Sequence, residues 1–221
     1  MEFWIVMERL TSIVALNLQG AIGCQNELPW RLGTDMKFFR SQTINNVVIM
    51  GRKTWDSIGS SLPKRHNIVL SHNAVLFEET SEREVVTTID EALFSADQFS
   101  SGEAFIIGGA STYLQFGPFV DRYLITIVQK EVSGADAFFD DSLLDNEVDW
   151  VWNKLDHIKW HPERDDAEFE VFEVLHRRPE ELRLWRNAVI AQYQGKVDSI
   201  RKPSVKRKHW SKGTFLSPQL L

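Results

Sequence analysis

The sequence predicts an α/β domain: a central, mostly parallel sheet flanked by helices, with an antiparallel C-terminal edge strand. Three observations predict it. Short β-branched apolar runs recur along the chain, each followed by a helix-compatible stretch, as parallel strands with crossover helices require. Two of these runs end in glycine and pass straight into a helix, at Gly51 and at Gly108-Gly109. Late in the chain, Phe169-Glu170-Val171-Phe172-Glu173-Val174 alternates apolar and acidic residues, the pattern of an antiparallel strand with one wet face.

The elements follow in order. Thr11 to Leu16 reads as a buried first strand, and Asn17 to Pro29 as a polar, glycine-bearing loop too long to be a turn. Thr34 has the chemistry of an N-cap, with Asp35, Met36, Phe38 and Phe39 opening a helix. Val47 to Met50, Asn67 to Ser71, Val85 to Thr87, Ala104 to Ile107 and Arg122 to Val128 supply further strands. Helices are expected after Gly51, from Thr88 to Asp90 onward, and from Gly109 to about Phe116. No internal repeat or low-complexity tract interrupts this order.

Composition narrows the class. Hydrophobic residues make up 43% and charged residues 25%, ordinary for a globular domain, and no apolar run reaches the roughly 18 residues that cross a membrane. The start, Met1 to Glu8, has acids flanking a short apolar patch, which does not fit a secretory signal, and Met7 is a candidate alternative start. Cys24 is the only cysteine, so no internal disulfide forms and a reducing, cytoplasmic setting is expected. The six histidines show no zinc-like spacing, and no metal site is expected.

The net charge of −6 is unevenly divided. From Pro179 onward there are nine Lys/Arg and three Asp/Glu, which leaves the preceding part at −12. That asymmetry divides the chain into a domain over residues 1–178 and a basic extension over 179–221, with a short helix from Glu180 to Gln194 and then a flexible tract. Lys206-Arg207-Lys208-His209-Trp210 could contact nucleic acid, although a solvated tail or docking on the acidic body is the plainer reading. The extension is expected to be removable without loss of activity, and the protein to be a monomer.

Two constellations carry chemistry. Gly51-Arg52-Lys53-Thr54 and Gly108-Gly109-Ala110-Ser111-Thr112 each place glycine at a strand end and N–H donors at a helix start, where a phosphate can approach the backbone. Neither is a Rossmann or Walker motif; as a pair in one sheet they suggest a dinucleotide across the strand ends. Asp35 is either a first-turn carboxylate favoured by the helix dipole or an acid in an apolar pocket holding a cationic substrate edge. Arg65 is either a solvated loop arginine or a bidentate carboxylate ligand.

Taken together these residues resemble the dihydrofolate reductase family. Ile22-Gly23, Leu28-Pro29-Trp30 and Asp35 are similar to its loop and catalytic helix; Val48 to Gly59 with Leu62-Pro63 is similar to its most recognisable stretch. Phe105 to Ala110 with Tyr113 resembles its second cofactor turn, and Leu124-Ile125-Thr126 its late strand. The resemblance runs in order from about Thr11 to Arg178, and aspartate at position 35 looks like the bacterial or phage branch.

The resemblance implies an NADPH-dependent enzyme reducing dihydrofolate to tetrahydrofolate, in support of one-carbon metabolism. It implies a catalytic set of Asp35, Trp30 and Thr126, and a folate site formed by Ile13, Asp35, Phe39, Ile58, Leu62, Arg65, Ile107, Tyr113 and Thr126. NADPH would contact Ala15, Ile22, Gly23, Gly51, Arg52, Lys53, Thr54, Ser71, His72, Gly108, Gly109, Ala110, Ser111, Thr112 and Tyr113, with Gly108-Gly109 a cis peptide. The segment from Asn17 to Leu32 would be the lid over the nicotinamide. The chain departs from the familiar bacterial pattern at Leu28, Lys53, Ser60 and Ser111. Ser111 removes a cation often found near the adenosine end, while Arg52, Ser71 and His72 still favour the phosphorylated dinucleotide. A pyrimidine reductase of riboflavin synthesis and a non-enzymatic interaction protein that keeps the fold are the alternatives.

Overall fold

β1 (Arg9–Asn17) occupies the interior of the sheet because it is apolar on both faces: Ile13 and Ala15 point to one side, Val14 and Leu16 to the other. The computed structural model describes residues 7–72, 83–145 and 148–201. β3 (Val47–Gly51), β4 (His66–Leu70), β5 (Arg83–Val86) and β6 (Glu103–Ile106) join β1 and β7 (Arg122–Val128) in parallel register. The full order is β5-β4-β3-β6-β1-β7-β10-β9. The antiparallel margin is a pair of strands. β10 (Phe169–His176) lies against β7, and β9 (Trp150–Lys154), which no sequence signal marked, forms the outermost strand. A second, two-stranded sheet of β2 (Ala21–Gly23) and β8 (Ala137–Phe138) orders part of what the sequence reads as a long loop.

Alternation along the strands divides the core between the two faces. Val48, Met50, Phe105, Leu124 and Val128 pack with Phe38 of α1 (Gly33–Thr43) and Trp55 of α2 (Arg52–Ile58). Val47, Ile49, Ala104, Ile106 and Ile125 pack with α3 (Ile89–Phe99) and α4 (Ala110–Phe116). The carboxyl ends of β1, β3 and β6 therefore emerge side by side, where an open α/β sheet forms its binding crevice.

Two expectations are corrected. Thr34 is not the N-cap of α1: the cap is Leu32, without a side-chain bond, and Thr34 lies in the first turn. The Asp165 carboxylate, far along the chain, accepts the Thr34 N–H at 2.8 Å and does the capping instead. The C-terminal helix α5 (Pro179–Arg201) is 23 residues long, well past Gln194. It packs on the α3 face through Val189 and Ile190 and through a Phe94–Tyr193 ring contact at 5.3 Å. The cluster from Lys206 to Trp210 lies outside the described residues.

Candidate active site

α1 starts with Asp35 in its first turn beside Thr126 and runs along the sheet to the start of β7, where Gln42 meets Arg122; the i, i+4, i+8 spacing puts Asp35, Phe39 and Thr43 along one face. Asp35 is half-buried, and its Oδ1 accepts a 2.6 Å hydrogen bond from the Thr126 hydroxyl of β7. Burial pushes the Asp35 carboxyl above the ordinary aspartate range; the Thr126 hydrogen bond pulls it back, and the Asp165 charge adds a smaller upward push. The dipole-stabilising alternative is incomplete, because a carboxylate serving only the helix end would remain solvated.

The apolar walls converge on this acid. Ile13 and Trp30 belong to the cluster that includes Phe38, with Ala15, Phe39, Leu62 and Ile107 packed against it. Ile58 is 37% exposed and Leu28 59%, so both stand at a rim and not in the core. Tyr113 is buried, donates from its hydroxyl to the Ile13 carbonyl at 2.8 Å, and has its pKa raised by burial and by the Asp35 charge. Arg65 is buried at the far end of α1: Nη1 donates to the Thr43 hydroxyl, Nε donates to the Pro63 carbonyl, and the guanidinium lies 6.0 Å from the Phe39 ring centroid. A loop arginine held at three points is preorganised, which answers the solvated reading.

The glycine corners touch. The Gly51 N–H donates to the Gly108 carbonyl at 2.7 Å, and Gly108-Gly109 is a cis peptide. A Cβ on Gly51 would meet Thr112 Oγ1 at 2.6 Å, and one on Gly109 would meet Thr54 Oγ1 at 3.2 Å. Each corner thus uses a hydroxyl of the other, and only glycine lets them close. This bare cradle at the ends of β3 and β6 fits the phosphates of a dinucleotide. Gly51→Ala should push the corners apart and weaken NADPH affinity at least tenfold, as titration of the full chain would show; an unchanged Kd would remove the corners from cofactor binding. Arg52 pairs with Asp56 at 2.8 Å, and the Ser111 hydroxyl is engaged by Gln115. Ser71 is buried at the end of β4 with its N–H on the Val86 carbonyl, and His72 is exposed beside it.

The segment from Asn17 to Leu32 is tethered from three places that local sequence does not reveal. Asn17 Nδ2 donates to the Lys130 carbonyl, while its Oδ1 accepts the N–H groups of Gln19 and Ala21. Asp136 accepts the Gln25 N–H, and Asp166 accepts the Arg31 N–H at 2.9 Å. Ile22 is buried and Gly23 partly so, in β2. The tethering carboxylates come from segments over 100 residues away, so nothing near the loop announces them.

Comparison with known proteins agrees with this arrangement. The sequence profile of the family described as dihydrofolate reductase matches residues 9–177. The chain is 40% identical over 134 residues to a dihydrofolate reductase of Haemophilus influenzae, which spans 58% of this chain and 76% of that protein. It is 37% identical over 127 residues to dihydrofolate reductase type 9 of Escherichia coli, spanning 56% and 72%. Among solved structures, a dihydrofolate reductase from Enterococcus faecalis complexed with NADP(H) and RAB-propyl superposes with a TM-score of 0.66 at 27% identity, covering 78% of this chain and 98% of that one. With the family profile spanning most of the chain and the glycine corners, Asp35 and Arg65 in one crevice, this chain belongs to the dihydrofolate reductase family.

Proposed function

We propose that this protein reduces 7,8-dihydrofolate to tetrahydrofolate with NADPH, by hydride delivery to pterin carbon-6 and protonation of nitrogen-5. The observation that carries the proposal is the partly buried Asp35–Thr126 pair at the base of an apolar crevice that begins beside two glycine corners. NADPH supplies the hydride when bound. The chain's own residues bind, orient and exclude water.

Asp35 binds the pterin edge bearing the 2-amino group and ring nitrogen, and Thr126 fixes the carboxylate through its 2.6 Å hydrogen bond. Ile13, Phe39, Ile58, Leu62 and Ile107 enclose the ring, and Trp30 shields the acid from solvent. Arg65, held by Thr43 and Pro63, takes the α-carboxylate of the glutamyl tail. The carboxylate is on the opposite edge from nitrogen-5, so Asp35 acts by favouring the protonated pterin, with water delivering the proton. Ala15, Ile22, Gly23 and the two corners seat the nicotinamide half, and Arg52, Lys53, Thr54, Ser71 and His72 the adenosine half. The Asn17–Leu32 segment closes over them.

The direct experiment is steady-state oxidation of NADPH and of NADH, side by side, with dihydrofolate. Turnover with dihydrofolate and a preference for NADPH is the expected result. Turnover only with the ribosylated pyrimidine of riboflavin synthesis would overturn it.

Thr126→Val offers a finer check. Thr126 lowers the Asp35 pKa, so its loss should raise that pKa further and shift the acid limb of the kcat/KM profile to higher pH. A profile superimposable on wild type would separate Thr126 from the reacting acid.

A further inference from the structure

The outer flank of α1, away from Phe39 and Arg65, borders a groove of about 500 Å³ that the reductase reading does not use. Lys37 on α1 faces His157, Lys159, His161 and Arg164 of the β9–β10 connection, and Phe38 and Ile158 form an apolar floor. Three fixed positive charges and two imidazoles thus surround one groove, and its lining contains no carboxylate.

This concentration is unusual in a chain whose first 178 residues net −12. Elsewhere several cations sit in ion pairs: Arg52 with Asp56, Lys130 with Asp166, Lys154 with Glu170, Arg178 with Asp149. Among the described residues, the side chains of Lys37, His157, Lys159, His161 and Arg164 make no ion pair and no hydrogen bond. Asp165, next to Arg164 in sequence, feels its charge, but its carboxylate is buried and accepts the N–H groups of Thr34 and His161. Asp35 is turned to the opposite flank, on Thr126. Like charges gathered around one groove repel one another, and an anion placed among them relieves that repulsion.

We propose that this groove binds an organic polyphosphate of the nucleoside triphosphate class. The phosphates would sit among Lys37, Lys159 and Arg164, with the two histidines adding ring donors, and the base would lie on Phe38 and Ile158. Its consequence reaches the active site through backbone already in place. The Arg164 carbonyl accepts the Gly33 N–H at 3.0 Å, and Asp165 caps Thr34, next to Asp35. A ligand on Arg164 clamps the segment that holds the start of α1.

The test is calorimetric titration of the full chain with ATP, with and without saturating NADP+, against K37Q/K159Q/R164Q. All three side chains are exposed, so the variant keeps the fold, and its thermal midpoint confirms this. The expected result is saturable ATP binding that survives NADP+ and weakens at least tenfold in the variant. Equal affinity in the variant, absence of binding to the wild-type chain, or complete displacement by NADP+ would each overturn the proposal. The comparison without NADP+ keeps the result independent of whether the chain is a reductase, which the dihydrofolate assay decides separately.

Discussion

Asp35→Asn should lower hydride transfer by about two to four orders of magnitude at neutral pH, the usual range for a group that controls a proton in the transition state. The loss should shrink as pH falls, because the pterin then arrives protonated without help from the carboxylate. Stability should move the other way. Burial raises the Asp35 pKa above its ordinary value, so ionising Asp35 in the folded chain is costly. Its favourable contribution is complete below the ordinary aspartate range and is lost as pH rises through the raised pKa. At neutral pH the wild-type chain bears that cost and the amide does not. Asp35→Asn should therefore unfold at the same or higher urea concentration while nearly inactive. Single-turnover kinetics across pH, paired with urea unfolding at neutral pH, check both halves. An unchanged rate at neutral pH would remove Asp35 from the mechanism.

The second large effect concerns stability alone. Arg186 of α5 is fully buried, and its Nη1 donates to Asp121 Oδ2 at 2.6 Å and to the Phe119 carbonyl at 2.8 Å. Its Nη2 donates to the Glu8 carbonyl, and Asp121 Oδ1 accepts the Leu10 N–H. One guanidinium thus ties α5 to the starts of β1 and β7. Removing one partner of a buried ion pair leaves the other charge uncompensated, at a cost of about 3–5 kcal/mol. Arg186→Ala should lower the thermal midpoint by about 10 °C, at roughly 2–4 °C per kcal/mol for a domain of this size. Arg186→Met with Asp121→Asn should recover much of that loss, since neither charge then remains. Deletion of everything after Arg178 should destabilise the chain at least as much as Arg186→Ala. The expectation that the truncated chain keeps its activity is separate, and applies where that chain remains folded. Thermal unfolding of the four chains measures the loss of stability; a truncated chain as stable as wild type would show that α5 is an appendage.

These cases indicate what could be read from the sequence. The parallel strands were legible because the inner ones, such as β1 and β3, are apolar on both faces and several end in a recognisable signal, such as Gly51 before α2 or Thr88, which caps α3 by accepting the Glu91 N–H. Asp35, Arg65 and the glycine corners were legible because their neighbours form motifs. Asp165, Asp166 and Asp136 were not, because a carboxylate in a polar loop looks the same whether solvated or capping a helix 131 residues away. β9 was missed for a related reason: Trp150-Val151-Trp152-Asn153-Lys154 is an edge strand with three exposed residues, so neither face presents a clean alternation. Arg186 sits in a helix rich in charge, and only its partner 65 residues earlier marks it as buried.

The most direct test of the site is a crystal structure of the full chain with folate and NADP+. The geometry described above requires the Asp35 carboxylate within about 2.6–3.2 Å of the pterin 2-amino group and its adjacent ring nitrogen. The nicotinamide should lie against the other face of the pterin, near Ala15, with the phosphates on Gly51 and Gly108-Gly109. A carboxylate facing solvent while the pterin is bound, or a dinucleotide bound away from the two corners, would contradict it.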